Sequence, residues 1–276
     1  MLNDKIKIKL SGIIVNADDY GLSLSRNEAV IHAFTQKMCS RGSIVVNTPY
    51  FEDAVKLAKE NDLMGKFGLH INLTSGVPLT LPICKVSKYC SNNKFIGTNP
   101  RSLTKVFSVR YVKEIREEIE AQILRFFQSG FTLRHIDAHN DILFNLPVWL
   151  AIKPLLKKYK IESIRGVEPY LFGFYRRSII SYLPIKYYFM CHFLFNKGRH
   201  YEIQHGGRNI NQFINDLFNN SDRRVGSLRY QKRVEVIIHP DKKDDLYVDL
   251  TNFDKTKTVY SLEDTKNKLK RIQIVD

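Results

Sequence analysis

The stretch Ile13-Ile14-Val15-Asn16-Ala17-Asp18-Asp19-Tyr20-Gly21 decides the fold. An apolar run, partly β-branched, ends in two adjacent carboxylates and then a glycine. β-branched residues favour extended backbone. A charged turn after a continuous apolar run is the pattern of a buried strand emptying into a loop. The run begins further back. Residues 6–15 read as a first strand that starts by alternating, with Ile6, Ile8 and Leu10 set between Lys7 and Lys9, and ends apolar throughout.

The same rhythm repeats outward from that strand. Residues 25–37 predict a helix with Ser25 as N-cap and Glu28 three positions on, the spacing of a capping box. Residues 42–47 predict a short strand, 51–60 a helix, and 67–73 a third strand carrying His70. A long irregular stretch, 74–100, follows; a loop of that length inside one domain is usually functional. Residues 109–128 predict the clearest helix, with Gly130 as its stop. A strand over 133–138, a helix over 147–159 and a strand over 162–166 continue the alternation, which points to an α/β fold with a mainly parallel sheet.

Residues 170–233 break the rhythm. Aromatics such as Phe172, Tyr175, Tyr187 and Phe193 mix there with Arg, Lys and His. This reads as an aromatic and basic insertion: a lid, an oligomer surface or a membrane-contacting patch. Residues 234–238 predict a late strand ending in His239-Pro240. A polar tail over about 242–276 follows, with a short helix at 261–271.

The 276 residues, 43% of them hydrophobic, suffice for one sizeable core, so a single domain over 1–276 is expected. Lys and Arg number 43 against 28 Asp and Glu, a net charge of +15. That excess suits an anionic partner or simply a basic solvated surface. Cys39, Cys84, Cys90 and Cys191 form no C-x-x-C pair, so free thiols in a reducing compartment are expected. The start, Met1-Leu2-Asn3-Asp4, has no apolar segment behind it and does not read as a secretory leader. No run of about 18 apolar residues marks a membrane span. A cytoplasmic setting follows, with a peripheral place at the membrane face as a variant of it. Zinc-finger and RRM patterns are absent, so no nucleic-acid partner is expected. Phosphate-loop, dinucleotide and serine-hydrolase elbow motifs are absent too.

Asp18, Asp19, His70, His135, Asp137, His139 and His239 all fall at or near predicted strand ends. In α/β folds that edge is where active sites are built. Each has a bland reading as well. An Asp-Asp pair is a common turn pair, a lone histidine in an apolar strand is often a hydrogen-bonded core residue, and His before Pro fits any turn. Their coincidence at similar strand ends is what carries weight. Two histidines and a carboxylate form a common open metal site. A second carboxylate and a further histidine then complete a general base and a general acid.

These residues resemble a known family. Asn16-Ala17-Asp18-Asp19-Tyr20-Gly21-Leu22-Ser23 is similar to the opening signature of the YdjC-like carbohydrate deacetylases, which include chitooligosaccharide deacetylases. Gly68-Leu69-His70-Ile71-Asn72-Leu73-Thr74 resembles the second motif, and His135-Ile136-Asp137-Ala138-His139 the third. Arg165 with Glu168 resembles an arginine-bearing feature, and Glu235-Val236-Ile237-Ile238-His239-Pro240 the last motif. Order and spacing agree along residues 11–241. Two departures stand out: Asn140, Asp141 and Leu143 replace further histidines, and Asp241 follows Pro240 where the family usually has glycine.

The resemblance implies a distorted (β/α) barrel with one divalent metal ion, magnesium or zinc, at the strand C-termini. It implies a hydrolase acting on a linear amide C–N bond, a carbohydrate N-deacetylase that releases acetate from an N-acetylated sugar or oligosaccharide. By motif position, Asp19, His70 and His139 are the metal ligands, Asp18 the base and His239 the acid. Arg165, Glu168, His135, Asp137 and Asn72 are expected to bind substrate or orient the others. The basic excess would suit an anionic or lipid-linked glycan, and a homodimer is compatible with the sequence. The competing reading is a non-catalytic glycan- or membrane-surface-binding protein on a diverged deacetylase barrel.

Overall fold

The computed structural model describes residues 13–97, 110–166, 202–209, 234–250 and 260–269. In chain order its elements are β1 (Ile13–Tyr20), α1 (Leu24–Thr35), β2 (Arg41–Ile44), α2 (Phe51–Glu60), β3 (Phe67–Ile71), α3 (Leu81–Cys84), β4 (Cys90–Ser91) and β5 (Lys94–Phe95). After these come α4 (Val112–Gln128), β6 (His135–Ala138), a 3-10 turn (His139–Phe144), α5 (Leu146–Lys158) and β7 (Ser163–Gly166). The remainder is β8 (Glu202–Asn209), β9 (Val234–Ile238), β10 (Pro240–Lys243), β11 (Leu246–Asp249), β12 (Tyr260–Ser261) and α6 (Leu262–Leu269).

Strands β1, β2, β3, β6, β7, β8 and β9 pair in that order into a closed barrel. Every pairing is parallel, and β1 closes the ring between β2 and β9. Parallel neighbours need crossovers, and from β1 to β7 the helices α1, α2, α4 and α5 supply them. The outward residues are apolar: Val15, Ala17, Leu69, Ile71, Ile136, Ile164, Val236 and Ile238 all belong to the buried core. That core includes a stacked aromatic column in which Phe67 meets Tyr20 and, edge-on, Phe34 and Phe131.

Among the described residues, most inward positions are polar. Asn16, Asp18, Ser43, His70, His135, Asp137 and Glu235 are buried and polar, spaced two apart wherever they share a strand. The lumen of this barrel is therefore a polar compartment. The reading of these strands as apolar on both faces holds only for their outer side.

Several expectations are corrected. β1 does not end before the carboxylates but runs through them to Tyr20, because pairing with β2 resumes beyond an irregularity between Ala17 and Tyr20. Helix α1 is capped by Ser23, whose side chain accepts from the Arg26 N–H, and not by Ser25. Glu28 closes no capping box; it pairs with Lys242 and accepts from the Tyr247 hydroxyl. The irregular stretch after β3 contains α3 and a hairpin, β4–β5, turned by Asn92 and Asn93, both at positive φ.

The supposed insertion at 170–233 is not wholly an insertion, since residues 202–209 within it form barrel strand β8. Its other residues, like Glu168, lie outside the described part. The polar tail also has structure. Strands β10, β11 and β12 form an antiparallel sheet, which meets α1 where the His32 and Tyr247 rings stack at 3.9 Å. No helix among the described residues is long and apolar enough to cross a membrane. Cys39, Cys84 and Cys90 are free thiols.

Candidate active site at the barrel mouth

In a regular strand, adjacent side chains point to opposite faces. Asp18 follows the inward alternation of Asn16. Asp19 would then face outward. Its φ of 67° places it in the left-handed region instead, at the β1 irregularity, so that both carboxylates reach the same site. Gly21 at φ 86° completes the turn, and a Cβ there would sit 2.5 Å from the Val45 carbonyl oxygen.

Asp19 meets two histidines. Its Oδ1 lies 2.7 Å from His139 Nδ1 and 3.3 Å from His70 Nε2. The other nitrogen of His70, Nδ1, lies 2.7 Å from Asp137 Oδ1. A carboxylate behind an imidazole fixes its tautomer and aims the opposite nitrogen. The donor atoms of Asp19, His70 and His139 all lie within 4.8 Å of one another. Burial disfavours a charged Asp19, but hydrogen bonds with His139 and His70 outweigh it and hold the carboxyl well below its ordinary range. Burial opposes protonation of His70 too, yet the neighbouring Asp137 wins and pushes it up to about 10.

Two further carboxylate–histidine groupings exist among the described residues: Asp18 with His70 and Asp137, and His135 with Asp137 and Glu235. Both are already compensated by one guanidinium. Arg165 Nη2 stands 2.6 Å from Asp137 Oδ2 and 2.5 Å from Glu235 Oε1. It also donates to Asp18 through Nη1 at 2.7 Å and Nη2 at 2.8 Å. Only the Asp19–His70–His139 grouping has its inner donor atoms clear of Arg165, and its mix of one carboxylate and two imidazoles fits a divalent cation.

Asp18 sits in a closed circuit of buried polar groups. Asn16 donates to Asp18 Oδ1 at 2.6 Å, and Arg41 Nε donates to Asn16 Oδ1 at 2.8 Å. Arg41 Nη2 pairs with Glu235 Oε2 at 3.1 Å. Glu235 Oε1 accepts from Arg165 Nε at 2.9 Å, and Arg165 returns to Asp18. Ser43 adds a contact of 3.3 Å to Asp18 Oδ1. Arg165 and Arg41 hold the Glu235 carboxyl below its usual range against its burial.

The remaining expected residues take distinct places. His239 stands at the rim, more exposed, with Nε2 3.9 Å from Asp18 Oδ2. His135 lies deep in the lumen against Ser163 at 2.8 Å, and burial, aided by Arg41, pushes it below the ordinary histidine range. Asn72 is buried beneath the loop after β3, where its side chain donates to Asn47 and Ser75 and accepts from Thr74 and Ser75. It organises that loop and does not face the carboxylates. Gln122 of α4 clamps the same point through the backbone of Asn72.

Sequence reasoning passed over Asn16, Arg41, Ser43, Glu235 and Arg26 as site residues. For most of these the signal was available: Asn16/Asp18, Arg41/Ser43, His135/Asp137 and Ser163/Arg165 are polar pairs spaced by two within strands.

A family model described as "YdjC-like protein" matches residues 12–270. The chain belongs to the YdjC-like family. It is 32% identical over 159 residues to a protein of Geobacillus stearothermophilus named carbohydrate deacetylase, covering 57% of this chain and 61% of that one. It is 31% identical over 180 residues to a carbohydrate deacetylase of Thermoanaerobacter pseudethanolicus, covering 59% and 69%. The match thus spans about three fifths of the first of these relatives. Among solved structures, this YdjC-like chain resembles one from Enterococcus faecalis V583 described as a proposed cellobiose-phosphate cleavage protein. The TM-score is 0.63 at 18% identity, over 96% of both chains, which establishes the shared fold.

Proposed function

We propose that this chain is a metal-dependent hydrolase that removes the N-acetyl group from an amino sugar or oligosaccharide and releases acetate. The observation that carries the reading is the convergence of Asp19 Oδ1, His70 Nε2 and His139 Nδ1 beside Asp18 at one end of the barrel. The relatives named carbohydrate deacetylase support the substrate class.

Asp19, His70 and His139 are the ligands for one divalent cation, magnesium or zinc, and such a cation supplies polarisation of an acetyl carbonyl and acidification of a water. The chain's own residues do the rest. Asp18 takes a proton from the attacking water, which adds to the acetyl carbon. Arg165, Asn16 and Ser43 hold the Asp18 carboxylate in one orientation for that task. Asp137 keeps His70 aimed at the ligand point. His239, at the rim, gives a proton to the sugar nitrogen as the C–N bond breaks, leaving a free amine and acetate. The net charge of +15 favours anionic sugars among the candidates.

The test is acetate release from a panel of neutral and anionic N-acetyl sugars, with and without chelator, alongside metal analysis. Chelation is expected to stop turnover. Asp18→Asn should lower kcat by about a thousandfold or more while metal content stays. Asp19→Asn should lose the metal itself. Equal metal loss in the two variants would sink this division of roles. Metal-free protein that binds glycan without turnover would favour the non-catalytic reading.

A further inference from the structure

Among the described residues, Arg26 is the one Arg or Lys that pairs with the proposed metal ligand Asp19. Ser23 caps α1 by accepting from the Arg26 N–H at 3.2 Å, which sets the first helical turn over the end of β1. The Arg26 side chain then returns to Asp19, where Nη1 pairs with Oδ2. The two oxygens of Asp19 are thereby divided: Oδ1 faces His139 and His70, and Oδ2 faces a guanidinium. On the far side, Arg26 Nε lies 3.6 Å from Asp241 Oδ2. Asp241 is steadied by its Oδ1 accepting from the Lys242 N–H at 2.8 Å. It occupies the position after His239-Pro240 where the family motif has glycine.

Resting on the metal-site reading above, we propose that Arg26 and Asp241 form an electrostatic regulator of that site. Arg26 restricts Asp19 to one ligating oxygen and lowers cation affinity, and Asp241 moderates it. One carboxylate and two neutral imidazoles bring a charge of −1 to a divalent cation, and the guanidinium cancels that charge. An ordinary outer-shell partner orients its ligand, and its loss weakens metal binding by about 10–100-fold. A fixed positive charge against the ligand acts with the opposite sign, because it repels the incoming cation. Arg26 is poorly suited to hold an anionic substrate, since two carboxylates already face it.

The sign of the effect makes the test decisive. Metal-free wild type, Arg26→Gln, Arg26→Lys and Asp241→Asn are titrated calorimetrically with zinc and, separately, with magnesium, and thermal unfolding confirms that each variant is folded. Arg26→Gln is expected to bind about tenfold more tightly than wild type, and Arg26→Lys close to wild type. Asp241→Asn, which leaves the Arg26 charge unmoderated, should bind about threefold more weakly. Arg26→Gln with unchanged or weaker affinity overturns the inference and makes Arg26 a plain orienting donor. Should Arg26→Gln fail to fold, an Asp241→Asn affinity equal to or above wild type overturns it. If wild type takes up neither cation, the metal-site reading falls with it; if wild type binds and the signs are wrong, this inference falls alone.

Discussion

At the scale of single residues, the site depends on where each carboxylate puts its two oxygens. Asp18 directs both to Arg165, and Asp19 splits its pair between histidines and Arg26. Glu235 is the residue whose job is easiest to overlook. It touches neither histidine ligand, yet it anchors Arg165 by two contacts and pairs with Arg41, and its own carboxylate and Arg41 are buried. Removing one partner from a buried ionic network leaves the others uncompensated, which costs about 3–5 kcal/mol. Glu235→Gln is therefore expected to lower the free energy of unfolding by an amount in that range, read as a fall in the denaturant midpoint. It should also reduce kcat by about tenfold with KM little changed, because Asp18 loses its fixed orientation while the rim stays intact. Chemical denaturation and steady-state kinetics on the same preparation check this. A stability loss with kcat untouched would separate the circuit from Asp18.

At the scale of elements, the end of β1 holds strained backbone. Asp19 and Gly21 both hold positive φ within three residues. A non-glycine residue there persists only where the surroundings enforce it, at about 1–3 kcal/mol. Here the enforcement is visible. Val45 N donates to the Tyr20 carbonyl at 2.7 Å, the Gly21 N–H donates to Asn27 at 2.7 Å, and the Tyr20 hydroxyl donates to the Ala54 carbonyl at 2.7 Å. Gly21→Ala meets both the φ penalty and the Val45 carbonyl, so a loss of about 2 kcal/mol or more is expected. Thermal unfolding measures it. An unchanged Tm would mean that the turn relaxes without strain. Helix α4 plays the matching role for the loop after β3. Its buried Glu118 accepts from the N–H groups of Leu79 and Thr80 and from the Thr80 hydroxyl. Glu118 is thus the clamp on a loop beside the site.

At the scale of the whole molecule, the charged lumen ties stability to pH. The unfolded chain protonates His135 below about pH 6.5, whereas burial moves the folded residue's protonation to lower pH. That stability is present above about pH 6.5 and is lost as pH falls below it. Glu235, held below its usual range, adds stability above about pH 4.3 that disappears as pH falls through its folded value. His70 works the other way: raised to about 10, it stabilises fully below about pH 6.5 and loses that contribution as pH rises through about 10. In chelator, the denaturant midpoint should peak near neutrality and fall on both sides. A midpoint that climbs steadily from pH 7 to pH 10 would contradict the charged His70–Asp137 pair.

The α/β class with a mainly parallel sheet was legible because alternating helix and strand patterns are local, and they survive in 51–60 and 234–238 to the residue, while the barrel came with the family resemblance. The candidate site was legible through its motifs, which carry Asp18, Asp19, His70, His139 and His239 in order. Other features were not. Strand β8 has a polar sequence, Glu202 to Asn209, and becomes a strand only because β7 and β9 offer it hydrogen-bonding edges. The face that each inward polar residue takes depends on which opposite charge arrives from a distant strand, as Arg41, Arg165 and Glu235 do around Asp18. Local propensity and motif are properties of short segments, so the sequence by itself determined the regular helices, the apolar strands and the reactive residue types. Charge compensation and strand pairing join residues far apart in the chain, so only the tertiary structure decided which oxygens, nitrogens and guanidinium groups meet.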